Sequence, residues 1–164
     1  MTGNRRFDSM EMFRHACAFA DCADFCSRES WSIVNRTKWY GTPEIVNRAF
    51  ACEIYLKTLL FYNCIAYTKV HRLAELYALL PERFRETIDR ETFRRFGRTK
   101  NALGISYIEN ISNAFYDWRY SFEKRSLHCE VGYLDLLCDV LRGLCCRELY
   151  QISWKEYEAT HKER

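Results

Sequence analysis

Residues 43–63, PEIVNRAFACEIYLKTLLFYN, decide the fold. Val46, Ala49, Glu53, Leu56 and Leu60 recur at i+3 and i+4 spacing, which puts them on one face of a helix, and Phe50, Ile54 and Phe61 widen that face. Thr42-Pro43 supplies an N-cap followed by proline at the first helical position, so the helix is predicted to run from there to about Asn63. One residue on the face is out of place. Glu53 puts a carboxylate where leucine is expected, and Lys57, one turn later, forms an i, i+4 pair with it at the edge of the core.

The same 3.6-residue pattern recurs on both sides of this segment. Upstream, Asp8 and Glu11 are spaced as a capping box, and Phe13, Ala16, Phe19, Ala20, Ala23 and Cys26 carry a helix to about Ser27. Residues 28–41 are aromatic and polar without clean periodicity. Downstream, Leu73, Leu76, Leu79 and Leu80 mark a short helix over about 72–80, Pro81 interrupts it, and another turn or two follows through Ile88. Beyond Gly97 and Gly104, long helices are expected over about 105–124 and 133–157. On the first of these, the stripe Ile105, Ile108, Ser112, Phe115, Arg119 and Phe122 again contains an intruder, Arg119, with Tyr120 and Glu123 just after it. Buried charges cost several kcal/mol unless paired, so Glu53 and Arg119 are expected to meet and fix the register of their helices.

Composition agrees with an all-α chain. In 164 residues only six Gly and two Pro are present, too few for the turns of a β-sandwich, and 48% apolar with 29% charged residues is a globular balance. The length suits a single domain spanning 1–164. No Gly-rich phosphate loop, repeat or linker occurs. The opening MTGNRRFDSM lacks an apolar stretch of signal-peptide length and no stretch reaches the roughly 18 apolar residues of a membrane span, so a soluble, cytoplasmic protein is expected. Nine cysteines without a CxxC read as reduced, mostly buried thiols; Cys22 and Cys26 lie one turn apart but lack a second ligand pair, so no metal site and no cofactor are assigned. The net charge of +3 is unevenly spread: residues 83–100 hold six Arg and one Lys against three acids, a candidate phosphate-contacting surface that includes Arg94, Arg95 and Arg98. Aromatics reach 16%, with Trp31, Trp39, Trp118 and Trp154 among them, and suit a dimer surface or a base-stacking platform as well as a core.

The strings NRAFACEIYLKTLLF, HRLAELYALLP and NAFYDWRYSFEK, in that order across residues 43–124, resemble the HEPN (higher eukaryotes and prokaryotes nucleotide-binding) superfamily. Its relevant branch carries E-x-x-x-K in an early helix, a His-Asp-Leu segment ending in Leu-Pro, and a late R-Y-x-[YF]-E. On this resemblance Glu53 and Lys57 fall on the first motif, His71, Leu73, Leu76, Leu80 and Pro81 on the second, and Arg119, Tyr120, Phe122 and Glu123 on the third. The resemblance implies a four- to five-helix up-and-down bundle, with short extra helices in the basic connection, that commonly dimerises. It also implies action on RNA as a metal-independent ribonuclease, a toxin or an antiphage component. The family's nucleases use R-x(4-6)-H, whereas here Glu123 stands one turn after Arg119 and the next histidine is His128.

Two functions are therefore expected to compete. In the first, Arg119 steadies a phosphate, Glu123, His71 or His128 moves the proton, and Glu53, Lys57, Tyr120, Arg94, Arg95 and Arg98 bind the RNA. In the second, the bundle is non-catalytic and binds a nucleotide, RNA or an operon-encoded protein partner, with the charged cluster specifying packing.

Overall fold

In the computed structural model, which describes residues 4–30 and 39–161, the chain is an all-helical bundle with no strand among the described residues. The stretch around Trp31 lies outside them. α1 (Asn4–Ser30) buries Phe13, Ala16, Ala20 and Ala23 in a stripe whose small alanines allow a close neighbour, and that neighbour is α2 (Gly41–Tyr62). Asp8 and Glu11 already lie within the helix, so they are not its capping box; Glu11 instead accepts a hydrogen bond from Arg14 (2.7 Å). At α2 the cap is Tyr40 rather than Thr42. Pro43 still falls within the first turn, where its missing N–H would have found no helical partner.

α2 is the hub. It packs against α1, α3 (Leu73–Leu79), α6 (Ala114–Arg119) and α7 (Val131–Tyr150), and its residues Tyr55, Leu56, Leu59 and Leu60 are fully enclosed beside Leu134, Leu137 and Leu141 of α7. Leu80 is extended ahead of Pro81, as a residue preceding proline should be.

Two expectations about the long helices exchange places. The basic connection is not a loop with short helical pieces: it forms α4 (Glu82–Phe96), fifteen residues that bury Phe84, Ile88 and Thr92 at i+4 spacing and end on left-handed Gly97. Conversely, the segment expected to be one helix over 105–124 is broken into α5 (Tyr107–Asn110), α6 and a 3₁₀ turn at Ser121–Glu123. The break falls at the run Asn110-Ile111-Ser112-Asn113, whose Ser112 and Asn113 side chains accept from Ala74 and Arg72 rather than from their own backbone. Ser112 is buried and its carbonyl and Oγ accept the first free N–H groups of α3, from Leu73 (3.2 Å) and Ala74 (3.0 Å). The turn thus caps another helix instead of continuing its own. Arg72 fastens the same junction, donating to Glu109 (2.6 Å) and Asn113 (3.2 Å).

The last expected helix is also divided. α7 ends at left-handed Gln151, and α8 (Trp154–His161) starts from a true capping box in which the Ser153 N–H reaches Glu156 (2.8 Å) and the Glu156 N–H reaches Ser153 Oγ (3.3 Å). Ser153 hydrogen bonds hold the Glu156 carboxyl below its ordinary pKa.

Candidate functional site

Glu53 is buried on α2, and its Oε1 accepts two hydrogen bonds, from Lys57 Nζ (2.7 Å) and His71 Nδ1 (2.9 Å). A carboxylate can only accept, so Nδ1 is the protonated ring nitrogen. Lys57 Nζ stands 3.5 Å from the same nitrogen, and as both are donors they make no bond to each other. In the neutral ring Nε2 is then the basic nitrogen, carried by a half-exposed side chain. A buried carboxylate that fixes a surface histidine's tautomer is the arrangement by which a general base is oriented. The capping of α3 by Ser112 and the anchoring of Arg72 hold His71 where Glu53 can reach it.

Arg119 does not meet Glu53. Glu53 is served by its own helix and by His71, whereas Arg119 ends the six-residue α6 and is exposed. It has no acidic partner among the described residues. Its guanidinium lies instead over three rings, Phe115 (5.0 Å), Tyr116 (5.4 Å) and Tyr120 (4.9 Å). Phe115 stacks on Phe50 of α2 (4.8 Å), which anchors α6 to the hub, and Tyr116 meets the His71 ring edge-on at 5.9 Å. Tyr116 and Tyr120 are exposed and Phe122 is 80% exposed. Histidine, arginine and aromatic rings therefore line one face. The Arg119–Glu123 pair one turn apart is absent because the helix stops at Arg119 and Tyr120 leaves the helical region, so Glu123 sits exposed on the 3₁₀ turn.

The basic stretch is less bare than its composition implies. Arg83 pairs with Glu148 (3.3 Å), Arg94 with Glu91 (2.8 Å) and Arg95 with Asp139 (3.2 Å), so Arg94 and Arg95 are engaged in helix-surface and α4–α7 pairs. Arg98 has no acidic partner among the described residues and lies 5.9 Å from the Phe96 ring.

The largest omission in the sequence reading is Arg48. It is buried on α2, and its Nη1 binds Asp24 of α1 (2.9 Å) and Asp135 of α7 (2.8 Å), with Glu44 3.9 Å from Nη2. The signal was present: Ile45, Arg48, Cys52, Tyr55 and Leu59 form a second stripe on the same helix, with one charge in it. Ionic side chains do meet inside this bundle, but across α1, α2 and α7.

The cysteines sit mostly in the core. Burial pushes the Cys17 and Cys129 thiols up to about 12, and those of Cys52 and Cys145 are also raised by burial, while Cys22 and Cys64 are exposed. Among the described residues no three His, Cys, Asp or Glu side chains converge as metal ligands, and no helix is long and apolar enough to cross a membrane. No protein-family model matches this chain, and neither a curated protein nor a solved structure is significantly similar to it.

Proposed function

We propose that the protein acts on single-stranded RNA across the face formed by His71, Tyr116, Arg119, Tyr120 and Phe122. The observation that carries this reading is the Arg119 guanidinium, exposed, unpaired with any acid among the described residues, and laid over Phe115, Tyr116 and Tyr120. Exposed rings accept bases of any sequence by stacking, and an arginine between them contributes both a cation for phosphate and a flat surface for a base. The resemblance to HEPN bundles points to the same substrate class, and with it to a homodimer and to a toxin or antiphage setting with an operon-encoded partner.

Titration of a fluorescein-labelled twelve-residue oligouridylate tests the binding step. Affinity is expected to fall steeply between 50 and 200 mM salt, and Arg119→Ala to weaken it about tenfold, the scale of one lost base-stacking contact of 1–3 kcal/mol. Affinity indifferent to salt, or equal for wild type and Arg119→Ala, would refute the reading.

A second reading adds strand scission, and the Glu53–His71 pair favours it. His71 Nε2 would take the proton of a ribose 2′-hydroxyl, the oxygen would attack the adjacent phosphorus, and the 5′-oxygen would leave and take a proton from water, giving a 2′,3′-cyclic phosphate and a 5′-hydroxyl while the imidazolium returns its proton to solvent. Arg119 would offset charge on the phosphate in that step. End-labelled RNA should then be cut, RNA with a 2′-deoxy residue at the scissile position should not, and His71→Ala should abolish cutting. Equal degradation by wild type and His71→Ala sinks catalysis while leaving binding intact.

A further inference from the structure

On the side of the bundle formed by α4 and the loop that follows it, a cavity of about 260 Å³ lies between α3, α4, α5 and α7, with Tyr77, Tyr107 and Tyr133 among its walls. Tyr107 stacks on Tyr133 (5.2 Å, 27° between planes), and Phe96 packs edge-on against both, which locks the rings in place. An apolar cavity of about 150 Å³ already takes benzene, so this one has room for a ring with a substituent.

The rim is positive. Arg98 and Lys100 both line the cavity, and neither has an acidic partner among the described residues, in contrast to Arg83, Arg94 and Arg95 earlier on α4. One acid, Asp89, also lines the cavity and accepts the Tyr77 hydroxyl at 2.6 Å, so two cations stand against one carboxylate. Arg98 and Tyr107 also line an adjoining cavity of about 440 Å³, whose walls include His128 and Asn110, with the Asn110 Oδ1 buried and unpartnered among the described residues.

The loop carrying these cations is built rather than loose. Gly97 and Gly104 take left-handed conformations, Lys100 and Ser106 pair across it, and the Asn101 side chain accepts the N–H groups of Leu103 (2.9 Å) and Ile105 (3.1 Å). The Tyr107 N–H returns to the Thr99 carbonyl (3.2 Å), so Arg98 and Lys100 are set at the mouth before any ligand arrives.

We infer that this cavity binds a small molecule made of a flat ring and an anionic group, the ring entering among Tyr77, Tyr107 and Tyr133 and the carboxylate or phosphate meeting Arg98 and Lys100. The site is separate from the RNA face and does not depend on it.

Isothermal titration of the full chain with phenylacetate and with phenyl phosphate tests the inference and tells the two anion types apart. At least one is expected to bind, with phenol and inorganic phosphate each at least tenfold weaker. The double variant R98A/K100A, both positions exposed and so harmless to folding, should lose tenfold or more. Arg119→Ala should bind as wild type does. Failure of both probes to bind, or affinity unchanged in R98A/K100A, overturns the proposal. Binding lost in Arg119→Ala as well would also overturn it, since the site would not then be distinct.

Discussion

Replacing Arg48 by methionine removes a guanidinium that ties three helices while keeping the apolar stem. The Arg48 side chain is 4% exposed, and the acids it leaves behind are graded: Glu44 at 14%, Asp24 at 36% and Asp135 at 53%. Breaking a fully buried pair costs about 3–5 kcal/mol because the stranded charge cannot be hydrated. Here the two carboxylates in direct contact are at least a third exposed and regain water, so the cost is discounted to about 2 kcal/mol. In a chain of this size that lowers Tm by about 4–8 °C. The pH dependence fixes the cause. Burial raises the Asp135 carboxyl above its ordinary value and Arg48 pulls it back down. A raised carboxyl contributes stability that is complete below its unfolded pKa and lost as pH rises through the folded one. Without Arg48 the folded value climbs further, so the variant should lose more on going from acid to neutral pH. Urea unfolding followed by circular dichroism should give a deficit of about 2 kcal/mol at pH 7 that shrinks toward pH 4. A double-mutant cycle with Asp135→Asn should return a coupling of about 1 kcal/mol. A deficit under 0.5 kcal/mol at pH 7, or one that grows on acidification, would refute the reasoning.

Ser112→Ala removes the acceptor of the Ala74 N–H at the start of α3 and should cost about 1 kcal/mol; because the same junction sets His71 against Glu53, RNA affinity should fall in step, and a variant with normal affinity would break that link. Glu53→Ala strands the mostly buried Lys57 ammonium and should cost about 3 kcal/mol by thermal denaturation, whereas Glu53→Gln keeps an acceptor oxygen and should cost less than half of that. Cys17 and Cys129 stay neutral in the fold up to about 12 but ionise near 8.5 in the unfolded chain, so their contribution is complete below about pH 8.5 and drains away above it. The drop in unfolding free energy between pH 8 and pH 10 should be about 4 kcal/mol larger in wild type than in the Cys17→Ala/Cys129→Ala variant. In the native protein a thiol reagent at pH 7.5 should label Cys22 and Cys64 and spare Cys52 and Cys145.

Periodicity reports which face of a helix is buried and does not report where the helix stops. That is why α2 was legible nearly to the residue, from Pro43 in its first turn to Asn63 at its cap, while 105–124 was not. The apolar spacing of Ile105, Ile108, Phe115 and Phe122 survives the break, but Ser112 gives its carbonyl and hydroxyl to α3, a partner 38 residues away in sequence. No local pattern encodes that exchange. α4 was missed for the opposite reason: its buried stripe, Phe84, Ile88 and Thr92, has one residue per turn, and the Arg-rich flanks that looked like a loop are the solvent face of a helix with acids interleaved. Glu53, Lys57 and His71 each stand out in the sequence, but the spacing pairs Glu53 with Lys57 and points to Arg119, whereas the third member of the cluster is His71. Arg119 and Glu123 were assigned on the assumption of an unbroken helix and lost their expected partners when it broke.

The two buried charges of α2 show why burial alone does not distinguish structure from function. Arg48 and Glu53 are five residues apart on one helix and both are nearly inaccessible. Arg48 directs its Nη1 bonds to acids of α1 and α7, Asp24 and Asp135, so its effect is on the register of three helices. Glu53 gives one oxygen to a histidine whose ring is half in solvent, and that ring touches Tyr116, which in turn lies under Arg119. A charge whose partners are all framework can be exchanged for apolar packing without affecting anything outside the core. A charge whose partner is a titratable surface ring transmits its position to whatever that ring meets. Double substitution separates the two: Arg48→Met with Asp135→Leu should recover much of the lost stability and leave RNA affinity unchanged. Glu53→Leu with Lys57→Met should recover stability equally well yet still weaken RNA binding, because His71 has lost the acceptor that orients it. Equal behaviour of the two pairs would place the His71 face outside function.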